Sequence, residues 1–177
     1  DYLPDNLFVS PGKKAPNRAG FSKYASYINT ISEQKYGRPL ILAMSADLSG
    51  STNISGFAKG YDGADDKGFY EKTSNIKSPL FPQGITEFTN AGMMAGASTV
   101  NFSTEPYESF SGYYGAVSTY GSFSYLKYGP LRLFSQLAQD SELKVGKIIW
   151  VVGHSGPETA EDSRTHYGIF APGVTQL

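Results

Sequence analysis

Residues 18–35, RAGFSKYASYINTISEQK, space Phe21, Tyr24, Ala25, Ile28 and Ile31 about one helical turn apart, which predicts a helix that buries those positions against a core. Tyr36-Gly37-Arg38-Pro39 breaks that period. The run LILAMSADL, 40–48, then reads as a short strand covered on both faces, the mark of a parallel sheet. Gly, Ser, Asn and Asp dominate 49–80 without a sustained period, which predicts a long functional loop carrying at most one short helix. After Pro82-Gln83-Gly84, the stretch ITEFTNAGMMAGAS predicts a helix whose small residues let it pack closely on a sheet. VSTYGSFSYLKYGPLRLFSQLAQ, 117–139, is aromatic-rich and then helical, with Gly129-Pro130 limiting where that helix starts. KVGKIIWVVGHS, 144–155, is the clearest strand. Strands alternating with helices imply right-handed crossovers and an α/β fold, a doubly wound and mostly parallel sheet with helices on both faces.

In such sheets ligands sit beyond the carboxyl ends of the strands. Asp47 and His154 follow the two clearest strands, so both are expected at a binding edge. VVGHSGPETAEDSRTH, 151–166, holds both histidines of the chain around a Glu-Asp pair. A zinc site is one reading of that cluster, but the spacing does not suit it and no third ligand presents itself. The Asp-rich YDGADDKG, 61–68, does not match a calcium loop.

Composition narrows the partners. With 177 residues the chain suits one domain able to bury a sizeable core. A formal charge of −1 and 18% charged residues leave no electrostatic footprint for nucleic acid or an anionic membrane. The absence of cysteine excludes disulfides and thiolate metal sites and points to the cytoplasm. The lead DYLPDNLFVSPGKKAP, 1–16, reads as a linker from a preceding segment, with the domain occupying 17–177. That lead holds no apolar segment of signal-peptide or transmembrane length. Asn53-Ile54-Ser55 and Asn101-Phe102-Ser103 match a glycosylation sequon that carries weight only in a secreted protein.

Four segments in order, SADLSGST (45–52), GITEFTNAGMMAGAS (84–98), TYGSFSYLKYGPLRLFSQLA (119–138) and WVVGHSGPETAEDSRTH (150–166), resemble the pyrimidine-binding domain of transketolase and related thiamine diphosphate enzymes. The last segment matches at Trp150, His154, Glu161, Asp162, Thr165 and His166 without a gap. The resemblance implies a transferase domain that binds thiamine diphosphate, whose diphosphate and Mg2+ are held by a partner domain, in a homodimer acting on a sugar phosphate. It implies that Glu87 faces the pyrimidine nitrogen and shares a proton there, so that the cofactor can act as base on its own C2. For that role the carboxyl must be desolvated, and Ile85, Phe88 and Ala91 are the expected cover. The plainer reading of Glu87 is a first-turn acid complementing a helix N-terminus.

The resemblance places the stacking aromatics at Phe123 and at Tyr125 or Tyr128, where core packing is the alternative. It places Asp47 near the cofactor at a subunit junction, and Ser51 and Arg18 on substrate phosphate. His154, Ser155, Asp162 and His166 would face the donor sugar, with His154 and His166 moving protons. Three departures bear on the substrate: Thr86 and Phe88 flank Glu87 where the family has Arg and His, Ser155 replaces an aspartate, and Tyr167 replaces a glutamine. The Gly-Asp-Gly motif that holds the diphosphate and metal is not found in the chain, so half of the cofactor site must come from elsewhere. A thiamine-dependent 2-oxoacid dehydrogenase or decarboxylase component, and a non-catalytic α/β binding module, are the alternatives.

Overall fold

The computed structural model describes residues 3–153. In chain order it comprises a 3-10 turn Asp5–Leu7, helix α1 Asn17–Tyr36, strand β1 Ile41–Ser45, a 3-10 turn Ile54–Ala58, strand β2 Leu80–Phe81, helix α2 Glu87–Thr99, strand β3 Tyr114–Tyr120, a 3-10 turn Gly121–Lys127, helix α3 Tyr128–Asp140 and strand β4 Ile148–Gly153. No residue of 3–16 is buried.

The strands form one all-parallel sheet in the order β2-β1-β3-β4. Alternate residues of β1 feed opposite faces, as the period of two requires. Ile41 and Ala43 pack with Ala25 of α1, Phe57 and Ala116. Leu42 and Met44 pack on the other side with Ala91 and Met94 of α2, Val117 and Leu131. Helices therefore cover both faces, and the doubly wound α/β class expected from the sequence is the class observed. The chain leaves β1 toward β2 and leaves β3 toward β4, which puts the topological switch point between β1 and β3.

Two elements depart from the hydrophobic pattern. α1 has the expected span but a rotated buried face: Tyr24 and Ile31 are exposed, while Ser26, Asn29 and Ser32 are buried beside Ala25. Hydrogen bonding explains the rotation. Asn29 donates from Nδ2 to the Ile41 and Phe57 carbonyls (2.9 and 3.2 Å) and accepts at Oδ1 from the Leu40 and Ile41 amides (3.1 and 2.8 Å). The helix is thus latched to the start of β1 by one fully used amide, a device that hydrophobic periodicity cannot register. β3, one of the two inner strands, overlaps the start of the aromatic-rich stretch, where no strand was expected, and β2 lies at the end of the expected loop. β2 is only two residues, Leu80 and Phe81, too short to mark itself in the pattern, and β3 is built of small and hydroxyl residues; α2 presses on it at Gly115, where a Cβ would lie 1.9 Å from Met94 Sδ. The glycines of α2 do not make that contact, since Gly92 and Gly96 face open space.

Candidate functional site

The carboxyl ends of β1 and β3 meet at the switch point and are tied together above it. Thr52 Oγ1 and Ser118 Oγ share a hydrogen bond of 2.8 Å, and the Tyr120 hydroxyl donates to Ser51 Oγ at 3.1 Å. Asp47, two residues past β1, holds a left-handed φ of 60° and is exposed. Left-handed backbone at a non-glycine residue is uncommon and clusters where a chain is held for function. Arg18 lies in the first turn of α1 with Nε buried and without a partner among the described residues.

Glu87 is the first residue of α2, directly beyond the β2 end of the same edge, and is only 5% exposed. Its Oε1 accepts a hydrogen bond of 2.9 Å from Thr119 Oγ1, next to last in β3. The desolvation required of this carboxyl is present, but not from the side expected. Ile85 and Phe88 are 78% and 64% exposed, so of the expected cover only Ala91 is buried. α2 turns Glu87, Asn90, Ala91 and Met94 onto the sheet, one helical face, and β3 with the turn that follows it supplies the lid.

That turn contributes a residue the sequence did not single out. Lys127 is fully buried; its Nζ donates to the Val117 carbonyl at 3.1 Å and sits 5.3 Å from the centre of the Trp150 ring. Burial pushes its ammonium down to about 7, and the nearby Glu87 charge opposes part of that fall. The only sequence signal was a single cation inside the aromatic run 120–128. Thr119 was equally silent, since it became informative only once β3 was known to end there.

Phe123 lies half-buried in the 3-10 turn at the end of β3, while Tyr125 and Tyr128 are exposed. The edge therefore brings together Glu87, Thr119, Tyr120, Ser51 and Asp47, with Phe123 in the turn beyond β3. The readings of His154, Ser155, Asp162 and His166 fall outside the described residues. Gly153, the last residue of β4, pairs with Tyr120 at this same edge. Among the described residues no three His, Cys, Asp or Glu side chains gather in a way that could hold a metal, and no helix is long and apolar enough to cross a membrane.

The family profile described as transketolase, pyrimidine binding domain, matches residues 23–176. The chain belongs to that family. Compared with the curated proteins, it has no significant match. A transketolase pyrimidine-binding domain is a domain of thiamine diphosphate-dependent enzymes, and the parallel sheet with its buried glutamate at the carboxyl edge is consistent with that membership. The donor set suits the pyrimidine half of the cofactor. A dry carboxyl can share a proton with a ring nitrogen, and Asn90, one turn along the same helix face, keeps a buried Nδ2 that no group among the described residues satisfies.

Proposed function

We propose that this chain is the pyrimidine-binding domain of a transketolase-like enzyme that transfers a two-carbon ketol unit between sugar phosphates in the cytoplasm. The observation that carries the reading is the buried Glu87 carboxyl, fixed by Thr119 at the switch-point edge of a domain in this family. Bound there, thiamine diphosphate supplies the carbon nucleophile that makes and breaks carbon–carbon bonds next to a carbonyl. Glu87 holds a proton at a carboxyl oxygen facing the pyrimidine nitrogen; its position at the head of α2 and the Thr119 bond fix where that oxygen lies.

Phe123 offers a ring face for stacking, and Tyr125 and Tyr128 offer exposed rings for a surface that closes against a neighbour. Asp47 is assigned to the cofactor side of a subunit junction in a homodimer. Ser51 and Arg18 are assigned to substrate phosphate, which suits the buried Nε of Arg18, without a partner among the described residues. His154, Ser155, Asp162 and His166 are assigned to the donor sugar, with His154 and His166 as the proton carriers of the transfer. The diphosphate and Mg2+ are assigned to a second domain or subunit.

Thr86, Phe88 and Ser155 favour one further reading, a thiamine-dependent component acting on a 2-oxoacid. Supplying the complete assembly with thiamine diphosphate and Mg2+ separates the two. Consumption of xylulose 5-phosphate with an aldose acceptor is the expected result, and consumption of pyruvate alone overturns the transketolase assignment. Turnover of neither leaves an α/β module that binds without catalysis.

A further inference from the structure

Lys127 has no part in the activity as described above, yet it is a fully buried cation in the layer of side chains that covers Glu87. An ammonium in such a place is costly unless something there needs the charge, because the aliphatic stem alone could be replaced by methionine. Its anchors are a carbonyl and a ring face. Neither neutralises it, although a ring face within about 6 Å does favour the cation.

β3 shows how near the two charges lie. Lys127 is bound to the carbonyl of Val117, and Glu87 is bound to the side chain of Thr119, two residues further along the same strand. Two residues of strand span roughly 7 Å between these anchors, and the Glu87 charge acts on the Lys127 ammonium through a layer with little water.

The other elements packed around Lys127 offer little to compete. α2 carries no titratable residue but Glu87, and β4 carries none. β3 carries Tyr114 and Tyr120, and the turn itself carries Tyr125. α3 carries Tyr128, Arg132 and Asp140, all exposed. Among the described residues Glu87 is therefore the one buried acid beside this buried base.

We propose that Lys127 is a positioning residue, the buried counter-charge that orients the Glu87 carboxyl from the turn after β3. The proposal rests on the reading of Glu87 as the proton partner of the cofactor for its use in catalysis, but the coupling itself is a property of the chain alone. The Glu87 charge supports the ammonium of Lys127, so removing either partner leaves the other without an opposite charge nearby.

Trp150 is the only tryptophan of the chain and lies against the ammonium, so its fluorescence reports the charge of Lys127. Titrating the full chain without cofactor should give an inflection near neutral pH that Lys127→Met and Lys127→Arg both remove. Glu87→Gln should keep the inflection and move it down by about one pH unit, the loss of an opposite charge at close range. An inflection unmoved in Glu87→Gln overturns the proposal, and that comparison stands even if a Lys127 variant fails to fold. In the complete assembly, Lys127→Arg should restore the pH profile of turnover that Lys127→Met distorts; equal profiles in the two variants also count against the coupling. A shifted inflection in a chain that never captures thiamine diphosphate supports the pair and contradicts the cofactor reading instead.

Discussion

Thr119 Oγ1 stands 2.9 Å from Glu87 Oε1, a bond between the end of β3 and the first residue of α2 with both partners buried. It joins an inner strand of the sheet to the helix that carries the acid. A hydrogen bond to a charged group contributes about 1.5–3 kcal/mol. Thr119→Val keeps the shape and removes the donor, so it should destabilise the chain by about 2 kcal/mol in a urea unfolding curve. It should also weaken capture of thiamine diphosphate in the complete assembly, whereas Thr119→Ser should retain both properties.

Stability should rise with pH above neutrality on account of Lys127. Its folded ammonium titrates at about 7 and its unfolded one at the ordinary 10.5, so between those values the unfolded chain binds the extra proton. Proton binding by the unfolded state favours unfolding at lower pH, and the penalty is relieved as pH climbs through that window. Melting temperatures at pH 7, 8 and 9 should therefore increase for this residue's part, and Lys127→Met should flatten the trend. A wild-type trend identical to that of the variant would show that the buried amine does not titrate.

Gly115→Ala should destabilise the sheet by about 1–3 kcal/mol through overpacking, because the added Cβ meets Met94 Sδ and Cγ at 1.9 and 2.4 Å. Combining it with Met94→Ala should recover part of the loss, giving a double-mutant coupling that thermal unfolding detects.

Asn29→Ala should cost about 3 kcal/mol, since four backbone groups lose their partner at once. The melting temperature should fall by roughly 6–12 °C for a chain of this size. Ile31→Ala, on the exposed face of α1, should cost far less.

These effects show which parts of the molecule were legible beforehand. β1 and β4 announced themselves as apolar runs, and the alternation with helices carried the doubly wound class. β3 did not, because Gly115 is small to admit Met94, Ala116 is small on the face toward α1, and Ser118 and Thr119 serve hydrogen bonds at the edge. The buried face of α1 was misread around Asn29 for a related reason: an amide that satisfies four backbone groups behaves as core, while Tyr24 and Ile31 do not. The burial expected of Glu87 is present, but its cover was not foreseen, since Thr119 meets it only by way of a strand distant in sequence. Lys127 was not singled out, because nothing local shows that its head group ends beneath Trp150.

The central claim is that the Glu87 carboxyl does the proton work at the cofactor. Glu87→Gln is nearly isosteric and keeps an acceptor for Thr119, so the fold should persist with an unchanged circular dichroism spectrum. In the complete assembly with thiamine diphosphate and Mg2+, its cofactor-dependent turnover of xylulose 5-phosphate should drop by at least about a hundredfold, the scale of a lost acid–base group. Turnover equal to that of the wild type in a folded Glu87→Gln protein would contradict the account.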